Sequence, residues 1–372
     1  MPLRSRSIAV LLAVLSVVAL GAAACDPQPG GPAGTPTLTK KVVLTGLDHP
    51  WDLGFLPDGT LLMTERSGDL SRIQFGKRSF YHPADLVASS EGGMLGLAVD
   101  PFYAANRYVY VCFDSNAAGR IDVRVARLRL NANATAVEDR KDIVTGIPWN
   151  GGRHSGCRPR FGPDGYLYIG TGDAALMGVS QSLWSLGGKV LRVTRDGAGA
   201  PDNIFGSRIF SIGHRNVQGL AFEPGTGRVI NVEHGTSRDD EINANVVGGN
   251  YGWYSGTTSY EDSTANMTDY VHFRNPIAPI WSSGDPTIAP SGATFVTGSQ
   301  WKSWNGALAV AVLKGSELMF TFAKAGGNVH DVVYAFQDGY RLRSAVQGPD
   351  GHLYVTTDDT GARGQIWEIT PS

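Results

Sequence analysis

Four short segments of this chain carry more ionisable and amide side chains than their turns need. They are Gly152-Arg153-His154-Ser155-Gly156, then Gly213-His214-Arg215-Asn216-Val217-Gln218, then the run from His234 through Gly235, Thr236, Asp239, Asp240 and Glu241 to Asn243, and finally Lys314 with Arg341 and Arg343. An imidazole exchanges protons near neutral pH and can serve as a general base. Guanidinium forks match carboxylates bidentately, so several arginines on one wall suit an anionic ligand. Carboxylates and backbone carbonyls are the oxygen donors a hard cation takes. Each group also has a plain reading: a satisfied turn histidine, ordinary surface charges, a solvated acidic loop.

These segments are strung between six copies of one turn signature. The copies read FLPDGTLLMTER from Phe55, LAVDPFYAANRYVYVCF from Leu97, FGPDGYLYIGTGD from Phe161, FEPGTGRVINVEHG from Phe222, ATFVTGSQWKSWNGALAVAV from Ala293 and VQGPDGHLYVTTDD from Val346. Each is an apolar strand, a Pro-Asp-Gly type turn and a second apolar strand. Proline presets φ, aspartate bonds its own backbone and glycine accepts positive φ, so the chain reverses there. One such unit cannot bury both of its faces, and its recurrence predicts an all-β, six-bladed β-propeller with function at one mouth of the axis. The solitary strands near Lys41-Val42-Val43-Leu44 and Gln365-Ile366-Trp367-Glu368-Ile369 are expected to pair and close the ring, which removes two exposed edges. Residues 254–279 are polar, irregular and outside the repeat, and read as a long loop or extra hairpin.

Composition agrees: of 372 residues 18% are charged and 42% hydrophobic, with 48 glycines and a net charge of −2. Such a chain suits one large all-β domain and argues against nucleic acid, which calls for a basic stripe. The N-terminus stands apart. Arg4 and Arg6 precede an apolar run over residues 8–20 and then Gly21-Ala22-Ala23-Ala24-Cys25, the pattern of a secretory signal over residues 1–24. Cys25 resembles a bacterial lipoprotein acceptor, with plain signal cleavage as the alternative; residues 25–38 read as a Pro/Gly-rich tether and 39–372 as the propeller. The expected location is therefore the cell surface or periplasm, through a lipid anchor only, or else secretion. Export permits Cys112 and Cys157 to form a disulfide, with Cys112 ending a strand and Cys157 in the loop after His154; two buried thiols are the alternative.

The segments EGGMLGLAVDP from Glu91, HSG from His154, FGPDGYLY from Phe161, LGGKVLRV from Leu186, GHRNVQGL from Gly213, HGTSRDDEIN with GGNYGW, LKGSEL from Leu313 and RLRSAVQGPDGHLYV from Arg341 resemble, in order, the soluble PQQ-dependent sugar dehydrogenases (glucose/sorbosone and aldose sugar dehydrogenases). The resemblance implies PQQ across the propeller mouth and oxidation of an aldose at C1 to the lactone, with electrons passed to an external acceptor, since the chain has no CxxCH for a haem of its own. It makes His154 the general base, Asp173 the acid that orients it, and Arg215 the group beside the quinone oxygens. Arg215, Asn216, Lys314, Arg341 and Arg343 would hold the cofactor. Backbone oxygens of Gly235 and Thr236 would hold Ca²⁺, and Asp240 with Glu241 match a stretch associated with a second calcium.

Three positions depart from the family pattern. Glu91 stands where many members have glutamine near the substrate, Arg153 where some have an acid, and Pro159-Arg160 where apolar residues are usual. They bear on substrate choice, Arg153 favouring an acidic or substituted sugar. Two other classes remain open: a non-catalytic propeller for protein or carbohydrate recognition, and a calcium-dependent lactonase-like hydrolase, which would want acidic or amide groups around an axial calcium rather than arginines.

Overall fold

The computed structural model describes residues 34–74, 76–117, 119–256, 259–260, 265–359 and 361–372. Six four-stranded antiparallel sheets stand around one axis. Their first strands are Pro50–Phe55, Met94–Val99, Gly156–Phe161, Val217–Phe222, Pro290–Phe295 and Leu342–Gln347. Each packs on the first strand of the next sheet and the sixth returns to the first, so these strands line the axis. Every copy of the turn signature is the hairpin between the first and second strands of a blade, as Phe55 paired with Leu61 and Phe161 with Leu167 show.

The ring closes as expected from the two solitary strands. Leu38–Leu47 pairs with Gly364–Pro371 and forms the outer strand of the sixth blade, with Leu38 opposite Pro371. Ordered pairing therefore begins at the last residue assigned to the tether. The signal, Cys25 and most of that tether lie outside the described residues. Among those residues no helix is long and apolar enough to cross a membrane.

Alternate strand faces bury aliphatic and aromatic side chains between blades, as with Tyr110, Val125, Ile169 and Leu191 between the second and third blades. Full burial of such a side chain contributes about 1.5–3 kcal/mol. At the axis the inner strands approach too closely for side chains: a Cβ on Gly219 would sit 2.4 Å from Ser291 O, and one on Gly96 2.5 Å from Cys157 O.

The axis itself is polar. Asp52 is fully buried and takes Arg158 at 2.7 Å, both Arg160 Nη atoms at 2.8 and 2.9 Å, and Ser344 Oγ at 2.8 Å. Arg158 Nε donates to Gln218 O at 2.8 Å, and its guanidinium stacks 3.9 Å from the Trp51 ring centre. Arg160, which replaces an apolar residue of the family pattern, thus belongs to a structural ion cluster. Burial pushes the Asp52 carboxyl up, but Arg158 and Arg160 outweigh it and hold the group well below the usual carboxylate range.

Two expectations about the cysteines need correction. Cys112 lies inside the strand Tyr108–Ser115, which continues three residues beyond it, and Cys157 lies in the strand Gly156–Phe161 rather than in the preceding loop. They form a disulfide with Cα atoms 6.0 Å apart, joining the second blade to the third.

Candidate active site

The strand directions place the polar segments. In every blade the hairpin turn lies at one end of the axis, so the start of the first strand and the end of the second lie at the other. His154, Arg215, Asn216, Arg341 and Arg343 sit at first-strand starts; Asp173, His234, Gly235, Thr236 and Lys314 follow second strands. All share one mouth, opposite the Pro-Asp-Gly turns that made the fold recognisable.

His154 is carried by a loop of unusual backbone. Gly151, Gly152, His154, Gly156 and Cys157 all have positive φ, His154 at +48°. Packing demands this course: a Cβ on Gly152 would lie 1.9 Å from Ser89 O. The His154 N–H donates to Glu91 Oε2 at 3.2 Å, so Glu91 braces the loop as well as lining the mouth. His154 Nδ1 meets Asp173 Oδ1 at 2.9 Å, and both residues are buried. Asp173 Oδ2 accepts from Trp253 Nε1 at 2.7 Å and from the Tyr260 hydroxyl at 2.5 Å, while Tyr260 also stands 3.1 Å from His154 Nδ1. The polar stretch outside the repeat therefore reaches back over the mouth, with residues 257–258 and 261–264 outside the described set. Arg153 is exposed, with its guanidinium 5.8 Å from the Tyr260 ring centre.

Beside this pair lies a cavity of 330 Å³ lined by Trp51, Glu91, Ser155, Gly156, Gln218, His234, Lys314, Arg341 and Arg343, among others. Arg343 is held by Gln218 Oε1 at 3.0 Å and Asp358 Oδ2 at 2.7 Å, and its buried Nε has no partner. Arg341 is about half exposed, 3.9 Å from Asp358, and Lys314 Nζ donates to Thr287 Oγ1 at 3.1 Å. Arg215 and Asn216 do not line the cavity. The Arg215 backbone N–H donates to Glu233 Oε2 at 2.7 Å, and its guanidinium donates to His234 O at 3.3 Å. Asn216 Oδ1 accepts from Gln218 Nε2 at 3.3 Å and Asn216 O from the His234 N–H at 3.1 Å. A larger cleft of 650 Å³ lies near Thr45, Tyr340 and Gln365 and shares no lining residue with this cavity.

Asp240 and Glu241 are both buried, and each carboxylate is engaged by hydrogen bonds. The Asp240 carboxylate accepts the backbone N–H groups of Gly235 at 2.8 Å, Ile288 at 2.6 Å and Ala289 at 2.7 Å, and so fixes the Gly235-Thr236 loop. Glu241 points to Asn243 and Thr268, and burial, reinforced by Glu233, raises its carboxyl pKa well above the ordinary value.

Several residues of the site carry no role in the sequence reading, although His234 and Gln218 stand in its polar segments. His234 lines the cavity; burial, opposed by Asp240 and aided by Arg343 and Arg215, lowers its imidazole to about 4. Trp51 and Gln218 form part of the same wall. Asp114 lies behind the histidine loop, accepting from Trp149 Nε1 at 2.8 Å and Ser155 Oγ at 3.3 Å, and burial pushes it up to about 7. A carboxyl raised by folding binds more protons in the native state, so stability falls as pH rises from its ordinary 3.8 to about 7. Asp114→Asn is expected to remove that slope, gaining up to about 4 kcal/mol over wild type at pH 8 and little at pH 4. Urea denaturation at both pH values measures it; an unchanged difference between them counts against the assignment.

The family model for glucose/sorbosone dehydrogenase matches residues 47–367. The aldose sugar dehydrogenase YliI of Escherichia coli K12 is 30% identical over 361 residues, covering 91% of this chain and 94% of the relative. Quinoprotein glucose dehydrogenase B of Acinetobacter calcoaceticus is 28% identical, covering 94% and 92%. The PQQ-bound form of the aldose sugar dehydrogenase from Streptomyces coelicolor superposes with a TM-score of 0.76 at 31% identity, over 92% of this chain and all of that one. Six blades, a histidine-aspartate pair and a cationic cavity at one mouth accompany a match over nearly the whole propeller: the chain belongs to the glucose/sorbosone dehydrogenase family of sugar-oxidising enzymes.

Proposed function

We propose that the chain oxidises an aldose at C1 to the lactone, using PQQ and Ca²⁺, and passes the electrons to an external acceptor. The observation that carries this reading is the cavity in which Lys314, Arg341 and Arg343 lie beside the His154–Asp173 pair. PQQ is a planar tricarboxylate, and this donor set fits it: three cations on one cavity, with the Arg343 Nε still lacking a partner. When bound, PQQ supplies the hydride acceptor that the protein's own side chains lack.

Asp173 holds the His154 ring in one orientation and stabilises the imidazolium that forms. With Nδ1 committed to Asp173, the proton of the C1 hydroxyl goes to Nε2. Trp253 and Tyr260 occupy the other Asp173 oxygen and so fix the pair. Carbonyls of Gly235 and Thr236, on the loop that Asp240 braces, would hold the Ca²⁺. Glu91 and Arg153 border the entrance and bear on the choice of sugar. A lactonase-like site would place acidic groups where this cavity has cations. Export, with Cys25 as a lipid tether, completes the proposal.

The test is a titration of metal-stripped protein with PQQ and Ca²⁺, following dye reduction over a panel of aldoses. Saturable, calcium-dependent turnover is expected. A protein that binds no PQQ at any calcium concentration would sink the reading and leave a recognition propeller.

A further inference from the structure

Lys189 opens the third strand of the third blade, and its side chain is fully buried although it lines no part of the cavity that holds Lys314, Arg341 and Arg343. Its ammonium donates to Val179 O at 2.9 Å, Ser180 O at 2.9 Å and Gly187 O at 2.6 Å, so all three of its protons are used. Burial lowers its pKa to about 7, with Asp173 opposing. Burying a cation is costly, and an apolar side chain of similar length would serve packing better; a fully bonded one has a use where it fixes a single arrangement. What it fixes is the connection over residues 172–188, whose middle it draws to its end. That stretch has no ionisable residue except Asp173, and its Met177, Leu183 and Trp184 side chains are exposed, so packing alone does not set its course. The same stretch seats Trp253: Ser180 Oγ and Gln181 Nε2 both donate to Trp253 O at 2.9 Å. Trp253 Nε1 in turn donates to Asp173 Oδ2 at 2.7 Å.

We propose that Lys189 is a positioning residue for the His154–Asp173 pair: it gathers the 172–188 connection so that Ser180 and Gln181 hold the Trp253 indole against Asp173. The inference rests on the reading of His154 as the base and names the group on which its orientation depends. Lys189 reaches neither sugar nor cofactor. Its effect passes along hydrogen bonds to Ser180, Trp253 and Asp173 in turn, and so falls on proton transfer rather than on binding.

The test uses full-length protein with Lys189→Met, which keeps the side-chain length and removes the donors, and Ser180→Ala, which removes one bond to Trp253 O and leaves the lysine in place. Thermal melting checks that each variant folds. In protein loaded with PQQ and Ca²⁺, Lys189→Met is expected to lower kcat for aldose oxidation about 10–100-fold, the cost of a slightly misplaced catalytic group, with KM and PQQ affinity within about twofold of wild type. Ser180→Ala is expected to lose about three- to tenfold in kcat, the worth of one hydrogen bond. In metal- and cofactor-free protein, the indole N–H resonance of Trp253, assigned by its loss in Trp253→Phe, is expected to move upfield in both variants as its bond to Asp173 weakens. Wild-type kcat in a folded Lys189→Met, or an indole resonance that does not move, overturns the proposal. If Lys189→Met fails to fold, the same results in Ser180→Ala overturn it. A loss spread over kcat, KM and PQQ affinity alike does so too, because Lys189 would then support the whole mouth. Wild-type protein that oxidises no aldose overturns this proposal and the reading beneath it together.

Discussion

His154→Ala is expected to lower kcat for aldose oxidation about 10²–10⁴-fold while PQQ titrates as it does in wild type. The size follows from what the side chain does. It is the group with a partner carboxylate at 2.9 Å and a second brace from Tyr260, an arrangement that fixes ring orientation before the substrate arrives. Cofactor binding is assigned to other residues, so the two readouts separate. Alanine also accepts the site sterically, although the backbone at φ +48° costs any residue with a Cβ and native histidine already bears that cost. Stopped-flow reduction of the PQQ-loaded variant by saturating sugar isolates the step. Turnover within tenfold of wild type would show that another base takes the proton, and Glu91, which touches the His154 backbone and lines the cavity, is the group to vary next.

The blades were legible because their information is local. Pro57-Asp58-Gly59, Pro163-Asp164-Gly165 and Pro349-Asp350-Gly351 each dictate a reversal within a few residues, and each sits where a first strand meets a second. The chemistry lies at the opposite mouth, where no local rule brings Lys314 of the fifth blade beside Arg343 of the sixth and Glu91 of the second. Ring closure does that, and family resemblance stood in for it. Properties that exist only after closure were not readable: the orphaned Nε2 of His234, the raised Asp114, and Tyr260 reaching Asp173 from a stretch with no repeat signal. Cys112 was misplaced for a simpler reason. The polar turn that ends its strand begins only at Asn116, so Phe113, Asp114 and Ser115 continue the pairing with Arg124, Val123 and Asp122. Arg160 looked like a change at the substrate; it is a partner of Asp52, 108 residues away in sequence.

That axial cluster carries the largest expected effect on stability. Asp52→Ala is expected to destabilise the propeller by about 3–5 kcal/mol, because it leaves Arg158 buried beside Arg160 with no counter-charge. Arg158→Met is expected to cost less, since Arg160 keeps both carboxylate oxygens of Asp52 occupied and a methionine fills similar space over Trp51. The buried Arg158 guanidinium is already under strain in this sense: burial lowers its pKa to about 9, with Asp52 opposing. Asp52 has its folded pKa depressed, so its contribution is present above the ordinary value of 3.8 and is lost only as pH falls through the much lower folded value. The Asp52→Ala deficit should therefore be constant from pH 5 to pH 8, unlike the slope assigned to Asp114. Guanidinium denaturation across that range is the measurement. A loss below about 1 kcal/mol would mean that the two arginines find other partners at the axis, and that the inner strands of the first, third, fourth and sixth blades do not depend on this carboxylate for their register.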